Sequence, residues 1–126
     1  AILYVIIPQQ FALFSVLIFN YIQHVHADEE SEYNHSRNFV SPTTNFLLFN
    51  NGLHTIHHYR ASIHWSETPE AHKKIDHLIA PHLKERGFWP YIIKAYIIAP
   101  FNNTFRTKSM RLERLAKQQK AETSQV

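Results

Sequence analysis

Residues 1–22, AILYVIIPQQFALFSVLIFNYI, carry no charged side chain. A surface helix of a soluble protein shows an apolar stripe and a polar face, and this run has almost no polar face. Its length matches the about 20 apolar residues that a bilayer-crossing helix needs. Pro8 predicts a kink or break near the start, where Gln9 and Gln10 also interrupt the apolar run. We expect one transmembrane helix here, forming a unit over residues 1–26.

The pattern changes at residue 27. Asp28, Glu29, Glu30, Glu32 and Arg37 form a polar excursion, followed by Ser41-Pro42-Thr43-Thr44. A short apolar patch returns at Phe46-Leu47-Leu48-Phe49, and Asn50-Asn51-Gly52 suits a turn or cap. Thr68-Pro69-Glu70 reads as a helix start: a capping hydroxyl, proline at the first helical position, then an acid. That helix is expected to run to about Ile79, bend near Pro81 and end at Gly87. Residues 27–87 thus read as a second unit.

Residues 88–101, FWPYIIKAYIIAPF, are apolar but too short to span a bilayer, and Lys94 and two prolines interrupt them. Trp89, Tyr91 and Tyr96 suit a helix lying at a membrane interface. A basic helix or frayed tail follows, with Arg106, Lys108, Arg111, Arg114, Lys117 and Lys120 against Glu113 and Glu122. Residues 88–126 form the third unit. An excess of basic residues marks the cytoplasmic side of a span, so the tail is expected there. No second span follows residue 27, which puts residues 27–87 on the same side. The expected fold class is all-α: an integral-membrane helical fragment with one transmembrane helix and a cytoplasmic, histidine-bearing helical region.

Composition narrows the chemistry. The chain has no cysteine, which excludes disulfides, iron–sulfur ligation and thiolate zinc sites. Two glycines in 126 residues argue against a phosphate-binding glycine loop and against an all-β fold. The net charge of +3 sits in the tail and gives no reason to expect a nucleic-acid partner. No G-x-S-x-G element is present, so nothing points to a serine nucleophile. The chain opens at Ala1 inside an apolar run, and we expect it to be a C-terminal fragment.

The chain has ten histidines, and three fall within His54-Thr55-Ile56-His57-His58. On a helix this spacing puts all three within an arc of about 100°. Imidazole is the commonest side-chain metal ligand. His57 and His58 diverge by about 100°, which suits two ions better than one. Asn20 and His24, four residues apart at the end of the apolar helix, are about 40° apart in azimuth and share a face. A polar pair at the mouth of a span marks a functional site.

His24-Val25-His26-Ala27-Asp28 also fits the H-x-H-x-D pattern of zinc hydrolases. An extended chain would put both histidines on one face, whereas a continuing helix sets them about 200° apart. With a helix, His26 faces away or positions a neighbour. Asp28 is then either a partner that orients a ligand imidazole or a solvated acid. His64-Trp65 is placed to close over the site. His72, His77 and His82 read as surface residues of a charged helix, and His35 has no assigned role.

A nitrogen-rich ligand set suits iron, zinc, copper or nickel. Zinc would point to hydrolysis and iron to activation of dioxygen. A site at a membrane boundary suits an insoluble acyl or hydrocarbon substrate. Unactivated C–H bonds need an oxidant that side chains alone do not supply.

In these elements the chain resembles the C-terminal part of the membrane fatty acid desaturases, a histidine-box di-iron superfamily. His54-Thr-Ile-His57-His58 matches the third histidine box, H-x-x-H-H, and Asn20-Tyr-Ile-Gln-His24 matches the N-x-x-x-H element that ends the last transmembrane helix. The resemblance is greatest from Asn20 to about His72. It implies that His24, His54, His57 and His58 are metal ligands, and that Asn20 reaches the metal through water. His26 and Asp28 would at most orient those ligands. It further implies two non-haem iron ions, O2, electrons from cytochrome b5 or ferredoxin through a reductase, and insertion of a double bond into a fatty acyl chain, as acyl-CoA or acyl-lipid. Hydroxylases and ketolases of the superfamily share that centre, and NYIQH is also similar to the membrane alkane hydroxylases. The family's first two boxes, H-x(3-4)-H and an earlier H-x-x-H-H, do not occur in these 126 residues and are expected upstream. The fragment alone is therefore expected to be inactive.

Overall fold

The computed structural model describes residues 2–124. The apolar run forms one helix, Ile2–His24, long and apolar enough to cross a membrane. It opens with a π-helical turn, Ile2–Ile6, and continues as α1, Ile7–His24. Pro8 sits where the π-helical turn passes into the α-helix, and its missing N–H falls at that change of hydrogen-bond pattern. Side chains face outward as far as Ile18, and only Ile22 and Gln23 of α1 are buried in the rest of the protein.

The helix ends at His24, two residues before the expected boundary. Val25 is extended (φ −59°, ψ 130°) and His26 is left-handed (φ 65°). Arg37 explains the stop. Its backbone N–H donates to the Gln23 carbonyl at 2.6 Å, and its Nη1 donates to the carbonyls of Ile22 (2.8 Å) and Val25 (3.1 Å). The last carbonyls of a helix have no partner of their own, and this buried guanidinium supplies one.

Beyond α1 the chain is mostly helical, with α2 (Pro42–Leu47), α3 (His54–Tyr59), α4 (Thr68–Ile75), α5 (Phe88–Ile98) and α6 (Met110–Thr123). One feature departs from the all-α expectation. β1 (Asn38–Phe39) and β2 (Lys84–Glu85) pair in parallel, Asn38 opposite Lys84. Two-residue strands leave no sequence pattern, because alternation needs a longer run to register.

The second helix start also differs. Thr68 lies inside α4 rather than capping it, and its Oγ1 donates to the His64 carbonyl at 3.4 Å. α4 ends at Ile75, and 3₁₀ turns at Asp76–Leu78 and Pro81–Leu83 replace the expected longer helix. Ala80, before Pro81, is extended at ψ 135°, as a residue before proline prefers, so the chain cannot run on helically into the second turn.

Two clusters hold these elements. Leu53, Ile56, Ala71, Ile75, Ile79 and Leu83 pack α3 on α4. Ile22, Phe39 and Tyr91, flanked by Phe19 and Phe88, tie the end of α1 to β1 and α5. α5 buries Tyr91 and turns Trp89, Ile93, Tyr96 and Ile97 outward, so its outer face is apolar. The basic tail is an ordered helix. Ser109 caps α6, Arg111 meets Glu29 at 3.0 Å, and Arg114 meets Asp28 (2.7 Å) and Glu30 (2.8 Å) in the acidic loop.

Candidate metal centre

His24, the last residue of α1, meets the first turn of α3. Its Nε2 lies 3.1 Å from His54 Nε2, and His58 Nε2 lies 3.0 Å from the same atom. The ligand atoms of the three all fall within 4.8 Å of one another. The His58 ring stands nearly perpendicular to the other two, at 88° to His24 and 81° to His54. Two imidazole nitrogens bound at about 2.1 Å to one ion, at right angles, are about 3.0 Å apart. The donor set and its spacing therefore fit a metal ion.

Protonation agrees with that fit. His24 Nδ1 donates to the His35 carbonyl at 3.1 Å, which leaves the Nε2 lone pair facing the cluster. Metal-bound imidazoles usually hold their second nitrogen in this way. Burial, then the neighbouring His58, His24, His57 and His35, push the His54 pKa down to about 3. His58 is lowered too, by burial first and then by His24, His35 and His57. Both are kept neutral, as ligation requires.

The placement of α3 depends on residues far away in sequence. Leu53, at its N-cap, offers no side-chain acceptor. Asn38 on β1 takes over: its Oδ1 accepts the Thr55 N–H at 3.0 Å and its Nδ2 donates to Thr55 Oγ1 at 2.8 Å. Ser36 Oγ completes this buried network, 3.0 Å from Thr55 Oγ1. The approach to α3 is tight. A Cβ on Gly52 would sit 2.6 Å from Asn45 Oδ1 and 2.7 Å from the Phe39 carbonyl. The expected turn begins one residue earlier than read, with Phe49 (φ 48°) and Asn50 (φ 62°) left-handed.

A fatty acid desaturase family model matches residues 1–107, from α1 through α5. The chain belongs to the fatty acid desaturase family. No curated protein and no solved structure matches it. In a desaturase-family chain, the histidine cluster is consistent with a di-iron site.

The other candidates of this desaturase-family chain lie at differing distances from the cluster. His57 is exposed and stands outside the converging trio. Its ring stacks on His54 at 5.7 Å and lies 6.0 Å from the His58 ring. Asn20 is exposed one turn before His24 on α1. His26 and Asp28 bond no cluster imidazole among the described residues. His26 Nδ1 lies 2.6 Å from Thr107 Oγ1, and Asp28 accepts from Arg114 Nε at 2.7 Å. The left-handed turn at His26 separates it from His24, so H-x-H-x-D does not assemble on one face.

His64-Trp65 does not cover the site. Trp65 packs on Phe49 at 5.7 Å and lines a different cavity, of about 960 Å³, with Pro42, Leu53 and His72. His72 is buried, contrary to the surface expectation, because it lies on the inner face of α4; its Nε2 is 3.4 Å from Asp76. His77 and His82 are exposed as expected. The sequence reading missed His35, which lines an open cavity of about 590 Å³ together with His24 and His58. It sits in irregular chain, so no periodicity marks it.

Proposed function

We propose that this chain forms part of a membrane acyl desaturase, which uses O2 and two non-haem iron ions to insert a double bond into a fatty acyl chain. The observation that supports this most is the convergence of three imidazole Nε2 atoms at the end of a helix long and apolar enough to cross a bilayer. His24, His54 and His58 would hold one ion. His57, on the diverging side of α3, would serve the second, and Asn20 would reach the centre through water. Two ions need more donors than these five residues supply, so the reading requires further ligands from outside the 126 residues. Bound iron would supply the oxidant that an unactivated C–H bond demands.

The protein's own part is to place and protect the donors. α1 spans the membrane and brings His24 to its cytoplasmic boundary, where an acyl chain from the lipid phase meets the site. Burial keeps His54 neutral, so its nitrogen stays available at neutral pH. Electrons would come from cytochrome b5 or ferredoxin through a reductase.

The test is product analysis by mass spectrometry of the complete enzyme with an acyl substrate and O2. Loss of two hydrogens supports desaturation. Gain of one oxygen assigns the chain to the hydroxylases or ketolases that share the centre. Turnover without O2, with zinc in the protein, would place it among hydrolases instead.

A further inference from the structure

His24 Nδ1 donates to the His35 carbonyl at 3.1 Å, and this bond sets which nitrogen of His24 carries the proton. The chain that presents the carbonyl, residues 25–37, is irregular, so no helix or strand fixes it. On its far side Ser36 is tied to Thr55 Oγ1 at 3.0 Å. On its near side the chain closes on itself. The Asp28 N–H donates to the Asn34 carbonyl at 3.0 Å, and the Ser31 N–H donates to the Asp28 carbonyl at 2.9 Å. The Glu30 N–H reaches Asp28 Oδ1 at 3.3 Å. Asp28 is thus the hub of the loop, and it is only 5% exposed.

A carboxylate taken out of water needs a partner. Arg114 of α6, 86 residues further on, supplies it, with Nε 2.7 Å from Asp28 Oδ2. Its Nη1 lies 2.8 Å from Glu30 Oε2, so one guanidinium grips the loop at two points. The planar fork of arginine allows this, and the single ammonium of lysine does not. Arg111 adds a contact to Glu29 at 3.0 Å, but both side chains are exposed and the pair contributes little. Hydrogen bonds therefore run from Arg114 through Asp28 to Asn34, the neighbour of the residue whose carbonyl holds His24.

We propose that Arg114 is a positioning residue for the metal centre. Through Asp28 it fixes the loop that presents the His35 carbonyl, and so holds His24 in the tautomer that leaves Nε2 free toward His54. The inference rests on the metal-centre reading given above. Arg114 lies beyond the family-matched residues and belongs to neither histidine motif. The basic helix α6 then does more than cover the acidic loop, because it sets the protonation of an imidazole it never touches. Charge alone would act in the opposite direction. A guanidinium near the site repels a cation, so its removal would tighten metal binding.

The test uses the 126-residue chain in detergent, labelled with ¹⁵N-histidine, first without metal and then titrated with zinc. NMR reads the tautomer of each ring, and His24→Gln assigns the His24 signals. In the wild type, His24 should carry its proton on Nδ1. Arg114→Gln should mix the two His24 tautomers and weaken zinc binding by about tenfold, the low end for partners that orient a ligand imidazole. Asp28→Asn should do the same, and the double variant should be no worse than the weaker single one, as expected if the two act as a unit. Lys117→Gln, which removes a charge from the same helix but no contact to the loop among the described residues, should change neither readout. Zinc affinity at or above the wild-type value in Arg114→Gln would overturn the proposal. So would weaker binding with the His24 tautomer unchanged. Loss of amide protection at Thr55 in that variant would also overturn it, since Arg114 would then support the fold as a whole. A wild type that binds no zinc, while its His24 tautomer still responds to Arg114→Gln, would overturn the metal-centre reading instead.

Discussion

His24 Nε2 and His54 Nε2 lie 3.1 Å apart although thirty residues separate them in the chain. One ends the apolar helix and the other begins a six-residue helix beneath it. Neither helix end can hold this position by itself, since α3 is too short to be stable alone. The contact therefore depends on two supports, Arg37 at the end of α1 and Asn38 at the start of α3.

Arg37 is 1% exposed, and its guanidinium also lies 4.3 Å over the Tyr91 ring. Arg37→Ala removes two side-chain hydrogen bonds to helix-end carbonyls and leaves a buried void. We expect a loss of about 3 kcal/mol or more in unfolding free energy. Hydrogen exchange at the amides of Val25 and Ala27 should quicken, because both are held at the α1 terminus. Unchanged exchange there would show that the helix end does not need this clamp.

Asn38→Ala leaves the buried Thr55 N–H without its acceptor. The expected cost is about 1–3 kcal/mol, read from thermal or denaturant unfolding in detergent. Metal affinity should fall with it, because α3 carries His54 and His58. Thr55→Val, which keeps the backbone N–H bond to Asn38, should cost less than Asn38→Ala.

The Asp28–Arg114 pair predicts a pH dependence for the docking of α6. The hydrogen bond from Arg114 holds the Asp28 carboxyl below its ordinary pKa of 3.8. The folded state then binds fewer protons than the unfolded one across that window. The pair's contribution is complete above pH 3.8 and drains away as pH falls through the lower folded value. The protection of the α6 amides, measured against the intrinsic exchange rate at each pH, should be high at pH 5 and fall as pH drops below 3.8. Asp28→Asn should make α6 exchange fast already at pH 5, and equal protection in both proteins would contradict the assignment.

His54 predicts a second, separate pH effect on the metal-free protein. In the unfolded chain it takes up a proton near its ordinary pKa of 6.5, whereas in the fold it does so near 3. Stability is therefore full above pH 6.5 and is lost as pH falls toward about 3. By pH 5 the loss from this group is about 2 kcal/mol. His54→Gln should flatten that slope in denaturant unfolding measured between pH 7 and 5.

Much of the fold was legible in the sequence where the signal was local. The uncharged run gave the long apolar helix, the basic tail gave α6, and Asn50-Asn51-Gly52 marked the turn into α3. The chain's family was legible too, in N-x-x-x-H and H-x-x-H-H. What escaped depends on contacts between distant residues. The stop at His24 needs Arg37, twelve to fifteen residues away from the carbonyls it binds. The cap of α3 needs Asn38, seventeen residues before Thr55. His72 looked like a surface residue because its helix is otherwise charged, with Lys73 and Lys74 beside it, yet it lies on the inward face of α4. His35 lacked any spacing relation to the other histidines, and only the folded loop brings it to the cavity.

Whether the histidine cluster holds iron is read from the iron content of the complete enzyme, compared among wild type, His54→Ala and His77→Ala. Two irons are expected in wild type and in His77→Ala, with a loss of iron and of activity in His54→Ala. Equal iron and activity in all three proteins would contradict it.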